Sequence, residues 1–238
     1  MSAESLRNRT LKLTLAYDGT DFAGWQIQPT ARTVQGTVQS ILARITGEPV
    51  KLVGSGRTDA GVHALGQVAS FETSSRHACD IFCRALGAEL PDDVTVVSVD
   101  EAPADFHARG SARRKRYRYV IHDSGVLDVF ARRYCWQMPY SLDECAMQRA
   151  AQLLLGKHDF SSFETAGSGP ESSVRTVFAV DVSRPLADHP LEVHVEIEAD
   201  GFLYNMVRAI TGTLVQVGRG ARSEQWVGEA LDGRNRSA

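Results

Sequence analysis

The stretch Val50-Lys51-Leu52-Val53-Gly54-Ser55-Gly56-Arg57-Thr58-Asp59-Ala60-Gly61-Val62-His63-Ala64-Leu65-Gly66-Gln67-Val68-Ala69-Ser70-Phe71 places two strand-like runs, 50–53 and 67–71, at the ends of a long link. A hairpin needs only about two to five linking residues. Residues 54–67 are therefore more than a turn, and their four glycines let the backbone approach another chain or a ligand closely. The polar groups in that frame are few: Arg57, Thr58, Asp59 and His63. A nearby guanidinium favours an ionised carboxylate, so Asp59 suits a nucleophile or a general base. The plainer reading is a turn-capping Asp59 beside a surface Arg57, the commoner role of aspartates in loops. A dinucleotide fingerprint would need glycine where Asp59 stands, and a phosphate loop would need Gly-Lys-Ser/Thr at its end; neither spacing is met.

Working outward, Leu11, Leu13, Leu15 and Tyr17 alternate as in a half-buried strand after a polar tail over residues 1–9. Asp18-Gly19 turns the chain into a loop carrying Phe22 and Trp25. Thr33 caps a helix with Val34, Val38, Ile41, Leu42 and Ile45 on one face, which Gly47 ends and Pro49 keeps from resuming. A second helix is expected near 78–88, then a strand over 94–99. The order strand, helix, strand, strand, helix, strand is that of a ferredoxin-like split βαβ unit.

After a linker at 100–103 the pattern restarts, which divides the chain into halves at 1–103 and 104–238. Arg116-Tyr117-Arg118-Tyr119-Val120-Ile121 reads as a strand with the aromatics on one face and the arginines on the other. Ser141-Leu142-Asp143-Glu144 reads as a capping box for a helix ending at Gly156. A flexible run at 165–171 precedes a strand with Thr176, Phe178, Val180 and Val182 on one side, and then a strand at 193–197. Helices near 202–217 and 223–231 close the chain without the last strand that the first half leads one to expect. The fold class is thus mixed α/β (α+β), in two split βαβ halves.

Two further features carry chemistry. From Phe106 to His122 there is no acidic residue, while Arg109, Arg113, Arg114, Lys115, Arg116 and Arg118 all fall there. Cations interleaved with aromatics fit RNA, the former neutralising phosphates and the latter stacking on unpaired bases; a charged edge strand kept soluble by its arginines is the alternative. Arg208 sits among apolar neighbours, so it either reaches to water or needs an anionic partner.

The string Gly56-Arg57-Thr58-Asp59-Ala60-Gly61-Val62-His63 resembles the signature of the tRNA pseudouridine synthase A family. Tyr17-Asp18-Gly19-Thr20, Gly24-Trp25-Gln26, Phe106-His107-Ala108-Arg109 with the basic Tyr-x-Tyr strand, and Met206-Val207-Arg208 extend the resemblance over most of the chain. It implies two ferredoxin-like halves whose mainly antiparallel sheets meet at a central cleft. The activity it implies is isomerisation of uridine to pseudouridine at nucleotides 38–40 of the tRNA anticodon stem-loop, with no cofactor and no metal. By the same resemblance Asp59 is the nucleophile, Tyr117 contacts the target base and Arg208 pairs with Asp59. Arg57 fills the space of the extruded base or holds a phosphate, and Phe106, His107, Arg109, Arg113 and Arg114 contact the substrate. A homodimer with tRNA spanning both subunits is also implied, as is a strand beyond the Arg-containing run at 232–236.

Composition sets the outer bounds. Hydrophobic content of 43% and charged content of 23% over 238 residues are ordinary for a globular protein, and the net charge of −3 excludes a uniformly basic nucleic-acid binder. No stretch approaches a membrane span, the N-terminus lacks the apolar core of a signal peptide, and four cysteines without disulfide spacing fit a reducing cytoplasm. His77, Cys79 and Cys83 lack a fourth ligand and read as ordinary side chains. Two rivals remain: a non-catalytic RNA-binding module, and a metal-dependent nuclease using Asp18, Asp21 and Asp59.

Overall fold

The alternation of Leu11, Leu13, Leu15 and Tyr17 has the consequence a period of two requires. In the computed structural model, β1 (Arg9–Tyr17) turns all four inward. The structure describes residues 8–123, 125, 126, 128–165, 172–185 and 191–233. The chain divides into two units, Met1–Ala112 and Arg113–Ala238.

In the first unit β1 is central. It pairs antiparallel with β3 (Ala64–Thr73), Leu13 opposite Ala69, and with β4 (Val94–Ala102), Leu13 opposite Val99. The strand β2 (Val53–Gly54) adds to the outer side of β3, giving the order β2-β3-β1-β4 of a split βαβ sheet. Helix α1 (Val34–Thr46) begins at Thr33, whose hydroxyl accepts the Gly36 N–H, and ends at Gly47 with φ of 69°. Val34, Val38 and Leu42 of α1, with Phe82 and Leu86 of α2 (Cys79–Glu89), join the strand leucines in one core. The expected strand at 50–53 is nearly lost. Leu52 gives its N–H to Gln39 Oε1 (3.0 Å) and its carbonyl to Gln35 Nε2 (2.7 Å), so α1 takes the groups a ladder would use.

The second unit repeats the scheme. β5 (Lys115–His122) pairs antiparallel with β9 (Glu192–Ala199), β9 with β8 (Val174–Ser183), and β8 with β7 (Gly156–Asp159). Among the described residues, the other flank of β5 carries β6 (Trp136–Gln137), joined at Ile121 and His122. Helices α3 (Glu144–Ala151), α4 (Met206–Gly218) and α5 (Trp226–Asp232) close a core around Ile121, Val195, Ile197, Met147, Ile210, Leu214 and Val227. Among the described residues no strand follows α5, and the run at 234–236 lies outside them.

Four local expectations shift. The units divide at 112/113 where the sequence reading draws the line at 103/104, because Ala108 donates its N–H to the buried Ser70 hydroxyl and holds the connector on the first unit. Asp143, not Ser141, caps α3, its carboxylate accepting the Ala146 N–H at 2.8 Å. An irregularity between Val177 and Ala179 turns Val177 inward with Val180 and Val182 and leaves Phe178 exposed. Helix α4 starts at Met206, since Asn205 takes a left-handed φ of 60°. The run expected to be flexible lies outside the described residues over 166–171.

Candidate active site

The link that dominates the sequence shortens to residues 55–63, because β3 reaches back to Ala64. Its base is tied across the hairpin: Ser55 N–H donates to the Val68 carbonyl (2.8 Å) and Gln67 Nε2 to the Gly56 carbonyl (2.7 Å). Its tip is a turn in which Val62 N–H returns to the Asp59 carbonyl (3.1 Å) and Gly61 takes φ of 78°. Asp59 and Arg57 are exposed on this tip, and Thr58 is half-buried beneath it.

A second loop, 18–25, lies against this turn and holds it from the side. Trp25 N–H donates to the Thr58 carbonyl (2.9 Å) and Gly61 N–H to the Phe22 carbonyl (3.3 Å). Tyr17 Oη and Thr58 Oγ1 share a hydrogen bond of 2.8 Å. Gly19 N–H donates to His63 Nδ1 (3.1 Å), and Asp18 Oδ1 stands 3.0 Å from the same nitrogen while accepting from the Thr20 N–H and hydroxyl. The approach is close enough to demand glycine. A Cβ on Gly19 would fall 2.0 Å from the Val62 carbonyl oxygen, and one on Gly24 2.6 Å from that of Thr58. Sequence reasoning marked 17–20 and 24–26 as part of a signature and gave Asp18 a role only in the nuclease alternative; paired glycines beside a strand end were the available signal for the clamp.

Asp18 is thus engaged with Thr20 and His63 within its own loop pair. Among the described residues no three His, Cys, Asp or Glu side chains gather as a metal-binding group. Cys79 and Cys83 are half-buried free thiols on α2.

On the second unit, Tyr117 of β5 faces the core side and meets Phe202 edge to face at 5.0 Å. Arg208 lies in the first turn of α4, exposed, while Met206, Val207 and Ile210 around it are buried. Apolar neighbours in sequence therefore point inward, and the guanidinium points out. Asn205, before the helix, donates from Nδ2 to Thr165 Oγ1 at 3.0 Å.

The basic run does not stand without counter-charge, which corrects the sequence reading. β9 brings Glu196 and Glu198 opposite Arg118 and Arg116. Arg114 pairs with Glu198 at 2.8 Å, Arg116 with Glu198 at 2.7 Å, and Arg118 with Glu196 at 2.5 Å. Hydrogen bonds from Arg114 and then Arg116 hold the Glu198 carboxyl below its ordinary range. Arg114 also lies over the Phe178 ring, 4.6 Å from its centroid. Arg109 and Arg113 are exposed. Phe106 is half-buried, and His107 is wrapped in its own turn, its Nδ1 accepting the Gly110 N–H at 3.0 Å.

An exposed carboxylate on a turn clamped by a neighbouring loop, carried by a split βαβ sheet, makes the Asp59 turn the candidate site of a mixed α/β protein. A family model described as tRNA pseudouridine synthase matches residues 14–109 and 150–238. The chain belongs to the tRNA pseudouridine synthase family, whose members are isomerases. It is 48% identical to the tRNA pseudouridine synthase A of Brevibacillus brevis, over 94% of this chain and 90% of that protein. Identity is also 48% with that of Halalkalibacterium halodurans, over 97% and 86%, and 50% with that of Moorella thermoacetica, over 88% and 84%. Residues 110–149, Tyr117 among them, lie between the two segments that the family model matches.

Proposed function

We propose that this protein converts uridine to pseudouridine at nucleotides 38–40 of the tRNA anticodon stem-loop, with Asp59 as the nucleophile. The observation that carries the assignment of Asp59 is its place at the exposed tip of a turn held from both sides by backbone bonds. The bond between N1 of the base and C1′ of the ribose breaks, a bond from C5 to C1′ forms, C5 loses a proton and N1 gains one. No oxidant, reductant or external group enters the balance. The target base leaves its stack to expose the glycosidic carbon. Asp59 then either attacks C1′ or removes a ribose proton to give a glycal.

Tyr117 stacks on the extruded uracil, and Arg208 is the cation that keeps the Asp59 carboxylate ionised in the working enzyme. Arg57 fills the vacated stack or holds a phosphate. Arg109 and Arg113 neutralise phosphates, Phe106 and His107 contact the RNA beside them, and Arg114 contributes less because Glu198 already holds it.

The protein works as a homodimer in the cytoplasm. The exposed apolar side chains of Val129, Phe130, Tyr134 and Trp136 support self-association, and four free cysteines support a reducing compartment. Among the described residues no helix is long and apolar enough to cross a membrane.

Incubation of anticodon stem-loop RNA, tritiated at uridine C5, with the protein in EDTA tests the reaction. Tritium release with intact RNA is the expected result. Bound, unchanged RNA would make the protein a binding module, and cleavage lost in EDTA would make it a nuclease. Light scattering at working concentration should return the mass of two chains.

A further inference from the structure

We propose that Tyr17 and His63 are positioning residues that fix the Asp59 turn, an inference that rests on reading Asp59 as the nucleophile. The two side chains bracket the turn. Tyr17, at the end of β1 and only 5% exposed, fastens Thr58 through the 2.8 Å bond between hydroxyls, one residue before Asp59. His63, four residues after Asp59, is fastened by the Gly19 N–H at its Nδ1. Between these points two backbone bonds tie the turn to loop 18–25: Trp25 N–H to the Thr58 carbonyl and Gly61 N–H to the Phe22 carbonyl.

Each anchor is itself held. Tyr17 belongs to the ladder, opposite Ala64 of β3 and Val94 of β4. Gly19 is pressed against the Val62 carbonyl so closely that no other residue fits, which presents its amide to the imidazole. Asp18 is bound to the Thr20 N–H and hydroxyl, which holds the 18–20 turn that presents the Gly19 amide to His63. The 14-residue run that carries the chemistry thus derives its shape from a neighbouring loop and from two side chains that need not touch substrate. Misplacing a reacting group by about 1 Å lowers rate on the order of a hundredfold while leaving remote binding contacts intact.

The variants that separate this from a general loss of structure are H63A, H63N and Y17F. Asparagine places Oδ1 where Nδ1 stood and still accepts the Gly19 N–H. Phenylalanine keeps the buried ring of Tyr17 and deletes only the hydroxyl. At saturating anticodon stem-loop RNA, single-turnover rate should fall about tenfold or more in H63A and about fivefold in Y17F. The Kd for the RNA should change less than about twofold in both. H63N should recover to within about threefold of the unaltered protein. Wild-type rates in both Y17F and H63A overturn the clamp, as does a Kd that weakens in step with rate, or an H63N no better than H63A. Should H63A fail to fold, Y17F, with its melting temperature measured alongside, decides the matter alone. D59N run in parallel keeps the two readings apart. Turnover surviving in D59N removes the nucleophile and the clamp together; a dead D59N beside fully active Y17F and H63A removes only the clamp.

Discussion

The two units each pack helices on a mainly antiparallel sheet and differ in where their polar groups are engaged. In the first, β1 is paired along both sides, and the polar side chains at its end, Tyr17 and Asp18, reach across to the loop that carries Asp59. In the second, β5 lies beside β9, and among the described residues its other flank is paired at Ile121 and His122 alone. Its arginines are engaged on the sheet itself, by Glu196 and Glu198. A run of charge thus looks the same in sequence whether or not a neighbouring strand pairs it. Arg57 and Asp59 of the first unit are exposed on their loop, whereas Arg114, Arg116 and Arg118 of the second already share the carboxylates of Glu196 and Glu198.

The largest effect expected from this contrast is on chemistry. Asp59→Asn should reduce turnover on the order of ten-thousandfold, read as tritium release from C5. The proposed role of Arg208 as the cation that keeps the Asp59 carboxylate ionised makes it the next most sensitive position. Arg208→Ala should lower the single-turnover rate about a hundredfold, with lysine restoring part of it, as expected when charge is the main contribution.

The second unit has a fixed point of its own, away from the basic ladder. Asp123 is 1% exposed and accepts from Leu142 N–H (2.8 Å) and from Arg184 Nη1 and Nη2 (3.0 and 2.7 Å), while Arg184 Nε reaches Glu144 (3.1 Å). Burial alone would raise the Asp123 carboxyl, but the Arg184 hydrogen bonds, the Leu142 amide and the Arg184 charge outweigh it and hold it below its ordinary value near 3.8. Removing the guanidinium strands that carboxylate, so Arg184→Ala should destabilise by about 3 kcal/mol in urea titration at pH 7. The depressed value in the folded state means that this contribution is complete above about pH 4 and fades as pH falls through the folded value. The stability gap between wild type and Arg184→Ala should therefore narrow on acidification from pH 4 downward.

The smallest effect tests the paired arginines. Arg113→Ala should reduce the slope of log affinity against log salt by about one unit, as for one lost phosphate contact. Arg114→Ala should change it less, because Glu198 competes for that guanidinium. Equal slopes for the two would erase the distinction drawn between exposed and paired arginines.

Much of this was legible in the sequence, for reasons that can be named. Strict alternation in Leu11–Tyr17 and the apolar stripe of Val34, Val38, Ile41 and Leu42 fix β1 and α1, and Thr33 and Gly47 mark the helix ends. The turn that carries Asp59 was visible because its polar residues are few and set among glycines. What escaped was everything decided by partners distant in sequence. Glu196 and Glu198 lie about eighty residues beyond the arginines they bind, so a window around residues 106–122 sees only positive charge. Gln35 and Gln39 shorten β2 from the preceding helix α1, and Asn205 delays α4 by entering a left-handed conformation that no periodicity reveals. The bond from Gly19 to His63 joins two motifs that a linear reading treats separately.

The central claim is that Asp59 does chemistry and the frame around it does binding. Measuring the RNA dissociation constant and the single-turnover rate on one preparation of Asp59→Asn tests this most directly. The account predicts a dissociation constant within about twofold of wild type and no detectable pseudouridine. An affinity that collapses along with the rate, or a rate that survives, would contradict it.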